Sequence, residues 1–120
     1  MLNKLVNEIH TDNIKAGWWH DPVTGDNLTE DPYVIATKML LVVSEISEAT
    51  EAFRRDLMDD KLSYRKGVEV ELADAIIRIF DLCGVLNLDL EGAIKEKREY
   101  NSKRSDHKVN NRIKTGGKKF

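Results

Sequence analysis

The chain has 120 residues and a formal net charge of −2, enough for one domain with a real core and too few for two. Apolar residues make up 41% and charged residues 33%, a balance that excludes a membrane-embedded chain. No run approaches spanning length and no signal-peptide pattern opens the chain, so a cytoplasmic location without a membrane partner is expected.

Only Pro22 and Pro32 interrupt a sequence rich in helix formers, which favours an all-α fold. Residues Asn3 to Lys15 space Leu5, Val6, Ile9 and Ile14 as a modest amphipathic helix. From Gly17 to Glu30 the pattern dissolves into a loop that opens with Trp18 and Trp19, at least one of which is expected to pack in the core. Asp31 and Pro32 then form a helix start, as N-cap and first helical residue. The helix they begin should run to about Leu57, with Met39, Val42, Val43, Ile46, Ala49 and Phe53 on its buried face. Glu45 and Glu48 fall at the edge of that face and beyond it.

Residues 58–66 are polar and read as a loop. A further helix covers about Val68 to Leu86 and is apolar nearly all round, through Val68, Leu72, Ala75, Ile76, Ile79 and Cys83. Its polar residues, Glu71, Asp74, Arg78 and Asp81, are confined to one strip spaced by three and four, the pattern of an internal polar site. Cys83 is the single cysteine and sits in an apolar run, so a buried structural thiol is expected. Asp89 caps a last helix from Leu90 to about Lys103. Four helices with short connections predict a four-helix bundle over residues 1–104. Residues 105–120 are a basic, flexible tail: from 101 to 120 there are seven Lys/Arg against one acid, Asp106.

The chemistry concentrates in four carboxylates. Glu45 and Glu48 form ExxE, 22 residues follow, and Glu71 and Asp74 form ExxD. Each pair shares one helical face, and like charges on apolar surfaces repel and lose hydration unless a counter-charge is present. An all-oxygen set suits a hard cation, Mg²⁺ or Mn²⁺, rather than zinc. Solvated salt-bridged faces produce the same short patterns, but both pairs here lie on the most apolar helices. His10, His20 and His107 have no partner at ligand spacing and are expected to be surface or incidental residues. Lys97, Asn101 and Arg104 share one helical face, as donors to a polyphosphate or as cations at a helix C-terminus. The run Thr115 to Lys119 lacks the spacing, strand and helix of a phosphate-binding loop.

The strings GWW (17–19), SEISEATEAFR (44–54), ELADAIIRIFDLCG (71–84), EKREYNSKR (96–104) and GGKKF (116–120) together resemble the MazG-like nucleotide pyrophosphohydrolases, of the all-α NTP pyrophosphatase superfamily, in their short phage-type form. The resemblance covers nearly the whole chain. It implies a helical bundle assembling as a homodimer or homotetramer, and Mg²⁺-dependent hydrolysis of a nucleoside triphosphate to monophosphate and pyrophosphate. The family's EExxE–ExxD motif maps onto Glu45, Glu48, Glu71 and Asp74 as metal ligands, with Ser44 in place of the first glutamate. Glu45 or Glu48 would orient or deprotonate the attacking water. Lys97, Tyr100 and Asn101 match the family's Lys-xx-Tyr-Asn element near the phosphates, with Arg104 beside them, and Trp18 or Trp19 would cover the base. Two readings stand as alternatives: a relative selective for dUTP, dCTP or phosphoribosyl-ATP, and a non-catalytic oligomerisation module whose basic tail touches nucleic acid. On the first-choice reading nucleic acid is not a partner.

Overall fold

Asp31 accepts hydrogen bonds from the backbone N–H groups of Tyr33 (2.9 Å) and Val34 (3.3 Å), and Pro32 follows with its φ already helical. The longest helix of the chain starts there. A computed structural model describes residues 1–120 and shows five helices without strands. They are α1 (Leu2–Lys15), α2 (Pro32–Arg54), α3 (Gly67–Val85), α4 (Leu90–Lys103) and α5 (Val109–Arg112), with a 3-10 turn at Ser105–His107. No helix is long and apolar enough to cross a membrane.

The first three helices end in the same way. Gly17, Asp56 and Asn87 each adopt a left-handed φ, at 87°, 50° and 52°. In each case the next residue's N–H reaches back to a carbonyl of the last turn: Trp18 to Asn13 (3.1 Å), Leu57 to Ala52 (3.0 Å) and Leu88 to Cys83 (2.9 Å). This reversed cap satisfies the orphan carbonyls and turns the chain sharply. It stops α2 at Arg54, before the expected end at Leu57, because Asp56 takes up the left-handed conformation.

The chain divides into two compact units, Met1–Leu88 and Asp89–Phe120. In the first, α2 and α3 pack antiparallel. Ala52 lies against Gly67 at one end, where a side chain on Gly67 would meet the Ala52 Cβ at 3.0 Å, and Glu45 meets Arg78 midway. Helix α1 packs on α3, with His10 seated against Gly84. The first unit is therefore a three-helix assembly, and α4, the fourth helix of the expected bundle, belongs to the second unit.

The buried face of α2 differs from the expected one. Lys38, Val42, Glu45, Ala49 and Ala52, spaced by four and three, turn inward. Val43 and Phe53 are 60% and 74% exposed, and Met39 and Ile46 are also open. Small residues let the helices approach closely, and the large apolar residues lie on the adjoining face. Glu45 consequently stands in the middle of the interface rather than at its edge. Cys83 is buried, and burial pushes its thiol up from the ordinary range, as a structural thiol requires.

In the second unit, Asp89 caps α4 by accepting from Gly92 N–H (2.9 Å). The basic segment that follows folds back on its one acid. Arg104 donates twice to Asp106 (3.0 and 2.7 Å), Lys118 pairs with Asp106 at 2.9 Å, and Arg112 donates to the carbonyls of Lys118 and Lys119. The Arg104 hydrogen bonds and then that of Lys118 hold Asp106 far below the usual carboxylate range.

A side chain placed on Gly84 would bring its Cβ to 2.4 Å from the His10 Cβ. Gly84→Ala is expected to cost about 1–3 kcal/mol through overpacking between α1 and α3. Urea denaturation should show this as an earlier midpoint with an unchanged slope, and an unchanged midpoint would contradict the packing.

Candidate metal and phosphate site

Packing α2 against α3 brings carboxylates of both helices to one place. Glu45, Glu71 and Asp74 each present an oxygen within 4.8 Å of the others. Glu48, one turn beyond Glu45, is exposed but close enough to hydrogen-bond with Glu71. Three of the four sequence-predicted acids thus meet at the α2–α3 interface, with Glu48 beside Glu71 at its exposed margin. Arg78 is the cation of this group: its Nε donates to Glu45 Oε1 at 2.8 Å.

The electrostatics follow from crowding. Burial, the hydrogen bond and charge of Glu48, Glu45 and the charge of Asp74 together push Glu71 up to about 7. Asp74 is raised by burial and by the Glu45 charge, with Arg78 offsetting part of it. Burial opposes ionisation of Glu45 too, but the hydrogen bond and charge of Arg78 outweigh it, and Glu45 is held below the ordinary range. Near neutral pH the cluster is therefore in mid-titration at Glu71, and below it holds a proton there. An all-oxygen set with a single arginine among its carboxylates suits a hard divalent ion.

A cavity of about 590 Å³ opens over these groups, lined by Glu45, Asp74, Arg78, Lys38, Lys61 and Asp81 among others. A second cavity of about 530 Å³ is mostly apolar and includes Tyr33, Val34, Leu28 and His20. Trp18, Lys38 and Leu41 line both. Both volumes fall in the range of small-molecule sites, roughly 300–1,000 Å³.

The two tryptophans part company. Trp18 is 65% exposed and stands on the shared wall of the cavities. Trp19 is 0% exposed, so the expectation that it could cover a base is corrected: no face of its ring is open. Its Nε1–H donates to both Asp81 oxygens (2.9 and 3.1 Å), and the Lys38 ammonium sits 4.4 Å from its ring centroid. The expectation for His10 is also corrected. Far from incidental, His10 is largely buried, donates from Nδ1 to Asp81 Oδ1 at 2.7 Å, and meets Trp19 edge to face at 5.8 Å. Nothing in the sequence announced this pairing across 71 positions. Lys38 was overlooked as well, although its spacing of seven from Glu45 places both on one face.

Lys97, Tyr100, Asn101 and Arg104 belong to the second unit. The Lys97 ammonium and the Arg104 guanidinium flank the Tyr100 ring, at 4.8 and 5.6 Å from its centroid. Arg104 is already committed to Asp106, and Asn101 Oδ1 is buried without a hydrogen-bond partner. His20 is exposed, as is His107.

Glu71 makes the metal-free protein sensitive to pH. Its carboxyl titrates at 4.5 ordinarily and at about 7 when folded. The stability this contributes is full below pH 4.5 and is lost as pH rises through about 7, because the folded state alone still holds the proton. Melting temperature without divalent cations should fall across that window, and Glu71→Gln should flatten the decline. An equal decline in the variant would contradict the assignment.

Comparison with known proteins adds no constraint on this geometry: no family model, no curated protein and no solved structure matches the chain.

Proposed function

We propose that this chain is a Mg²⁺-dependent nucleoside triphosphate pyrophosphohydrolase, converting an NTP or dNTP to the monophosphate and pyrophosphate. The observation that carries the reading is the meeting of Glu45, Glu71 and Asp74 within 4.8 Å, across two helices and under a cavity. The strings that resemble the MazG-like pyrophosphohydrolases supply the reaction class.

The donor set fits Mg²⁺ or Mn²⁺. The raised Glu71 and Asp74, owed first to burial and then to neighbouring carboxylates, support this reading. Glu45, Glu48, Glu71 and Asp74 would hold the ion, which when bound supplies Lewis-acid neutralisation of phosphate charge. The residues of the chain do the rest. Arg78 donates to one oxygen of Glu45 and so orients that carboxylate. Glu48, the most exposed of the four, is placed to orient the attacking water and accept its proton. Trp18 stands over the apolar cavity and provides the face for a base. Lys97, Tyr100 and Asn101 are proposed phosphate neighbours on the resemblance alone.

Homo-oligomer formation, a dimer or tetramer, is part of the proposal. Met39, Val43, Ile46 and Phe53 form an exposed apolar stripe along α2, of a kind that marks interaction surfaces. Sedimentation of the chain as a monomer at micromolar concentration would remove this element.

Purified protein should release pyrophosphate from at least one member of an NTP and dNTP panel, only with Mg²⁺ or Mn²⁺ present. Glu48→Gln and Asp74→Asn should each lower kcat about 100-fold or more, the scale of losing one preorganised electrostatic group. Turnover retained in both variants, or independent of divalent cation, would contradict the proposal.

A further inference from the structure

Lys38 lines the acidic cavity without an ion pair to its carboxylates. Arg78 is bound to Glu45, and Lys61 lies on the α2–α3 connection. Lys38 instead projects from the buried face of α2, seven residues before Glu45, which is about 10 Å along the helix axis. Its ammonium rests over Trp19 and donates to the Trp18 carbonyl at 3.0 Å. An ammonium has three donors, so donors remain for an incoming acceptor. Burial lowers its titration from the ordinary value, and the Asp81 charge opposes that fall. Asp81 acts on it through space, because both Asp81 oxygens are occupied by Trp19 and one by His10.

We propose that Lys38 is an anion-binding residue of the acidic cavity, receiving the far end of a metal-bound polyphosphate, and that Asp81 positions it through Trp19. This rests on reading the cluster as a polyphosphate site. The ion would sit at the carboxylates, and the phosphate chain would run toward the wall between the two cavities, where Lys38 meets it. Trp19 is the shelf under the ammonium. Asp81 holds the shelf by its indole N–H, and His10 holds Asp81 from α1.

Calorimetric titration of the full chain with inorganic tripolyphosphate in Mg²⁺ tests this without requiring turnover. The wild type should bind. Lys38→Met, which keeps the apolar stem, should weaken binding about tenfold or more, as expected for a lost charge-assisted contact. Lys38→Arg should recover part of it, and Lys4→Met, the same charge change on the exposed surface, should leave affinity unchanged. Affinity for Mn²⁺ alone should be equal in all four proteins, which also reports that the variants fold. Trp19→Phe, which removes the indole N–H and part of the ring while keeping an aromatic face, should weaken tripolyphosphate binding severalfold with Mn²⁺ affinity intact. Equal tripolyphosphate affinity in wild type and Lys38→Met, or none in the wild type, overturns the assignment of Lys38. Unchanged affinity in Trp19→Phe overturns the positioning role. Lys38-dependent binding without pyrophosphate release from any nucleotide would instead remove the enzymatic reading and leave the anion site standing.

Discussion

Carboxylates crowded between two packed helices are the constraint on which the rest of this structure depends. Two unit charges at the separation found here repel by about 3 kcal/mol in the dielectric near a protein surface, against a total stability of about 5–15 kcal/mol for an ordinary domain. Ionising three mutually close acids together is costly on those terms. Arg78 relieves one of them by pairing with Glu45. Glu71 relieves the rest by keeping its proton up to about pH 7. A divalent cation, as proposed for this site, would do the work of both.

The helices that create this crowding are placed by small residues and by one buried polar assembly. Gly67, Ala49 and Ala52 allow α2 and α3 to approach. Asp81 takes the indole N–H of Trp19 and the imidazole of His10, tying α1 and the start of the following loop to α3. Leaving such buried donors unmet costs about 1–3 kcal/mol each, so the assembly fixes the wall of the cavity as well as the fold. The loop residue it leaves outside, Trp18, is the one whose ring remains available.

Much of this was legible in the chain. Asp31 and Pro32 announced the start of α2, and Asp89 that of α4, because caps and Pro are local chemistry. The strip of Glu71, Asp74, Arg78 and Asp81 was legible because period and polarity agreed. The inward face of α2 was not. Hydrophobicity rightly pointed to Val42 and Ala49 but also to Met39, Val43, Ile46 and Phe53, whereas the close approach of two helices selected Ala52 and Glu45 beside them. His10 was illegible for a different reason: its partner is on another helix, and no local spacing encodes a long-range hydrogen bond. The end of α2 at Arg54 turned on a left-handed Asp56, a conformation that Gly signals and Asp seldom does.

Crystals of the full chain grown or soaked in Mn²⁺, with diffraction recorded at the manganese absorption edge, address the ion site directly. An anomalous peak is expected among the oxygens of Glu45, Glu48, Glu71 and Asp74, with Glu71 turned toward it. Strong anomalous peaks elsewhere, and none between α2 and α3, would contradict it.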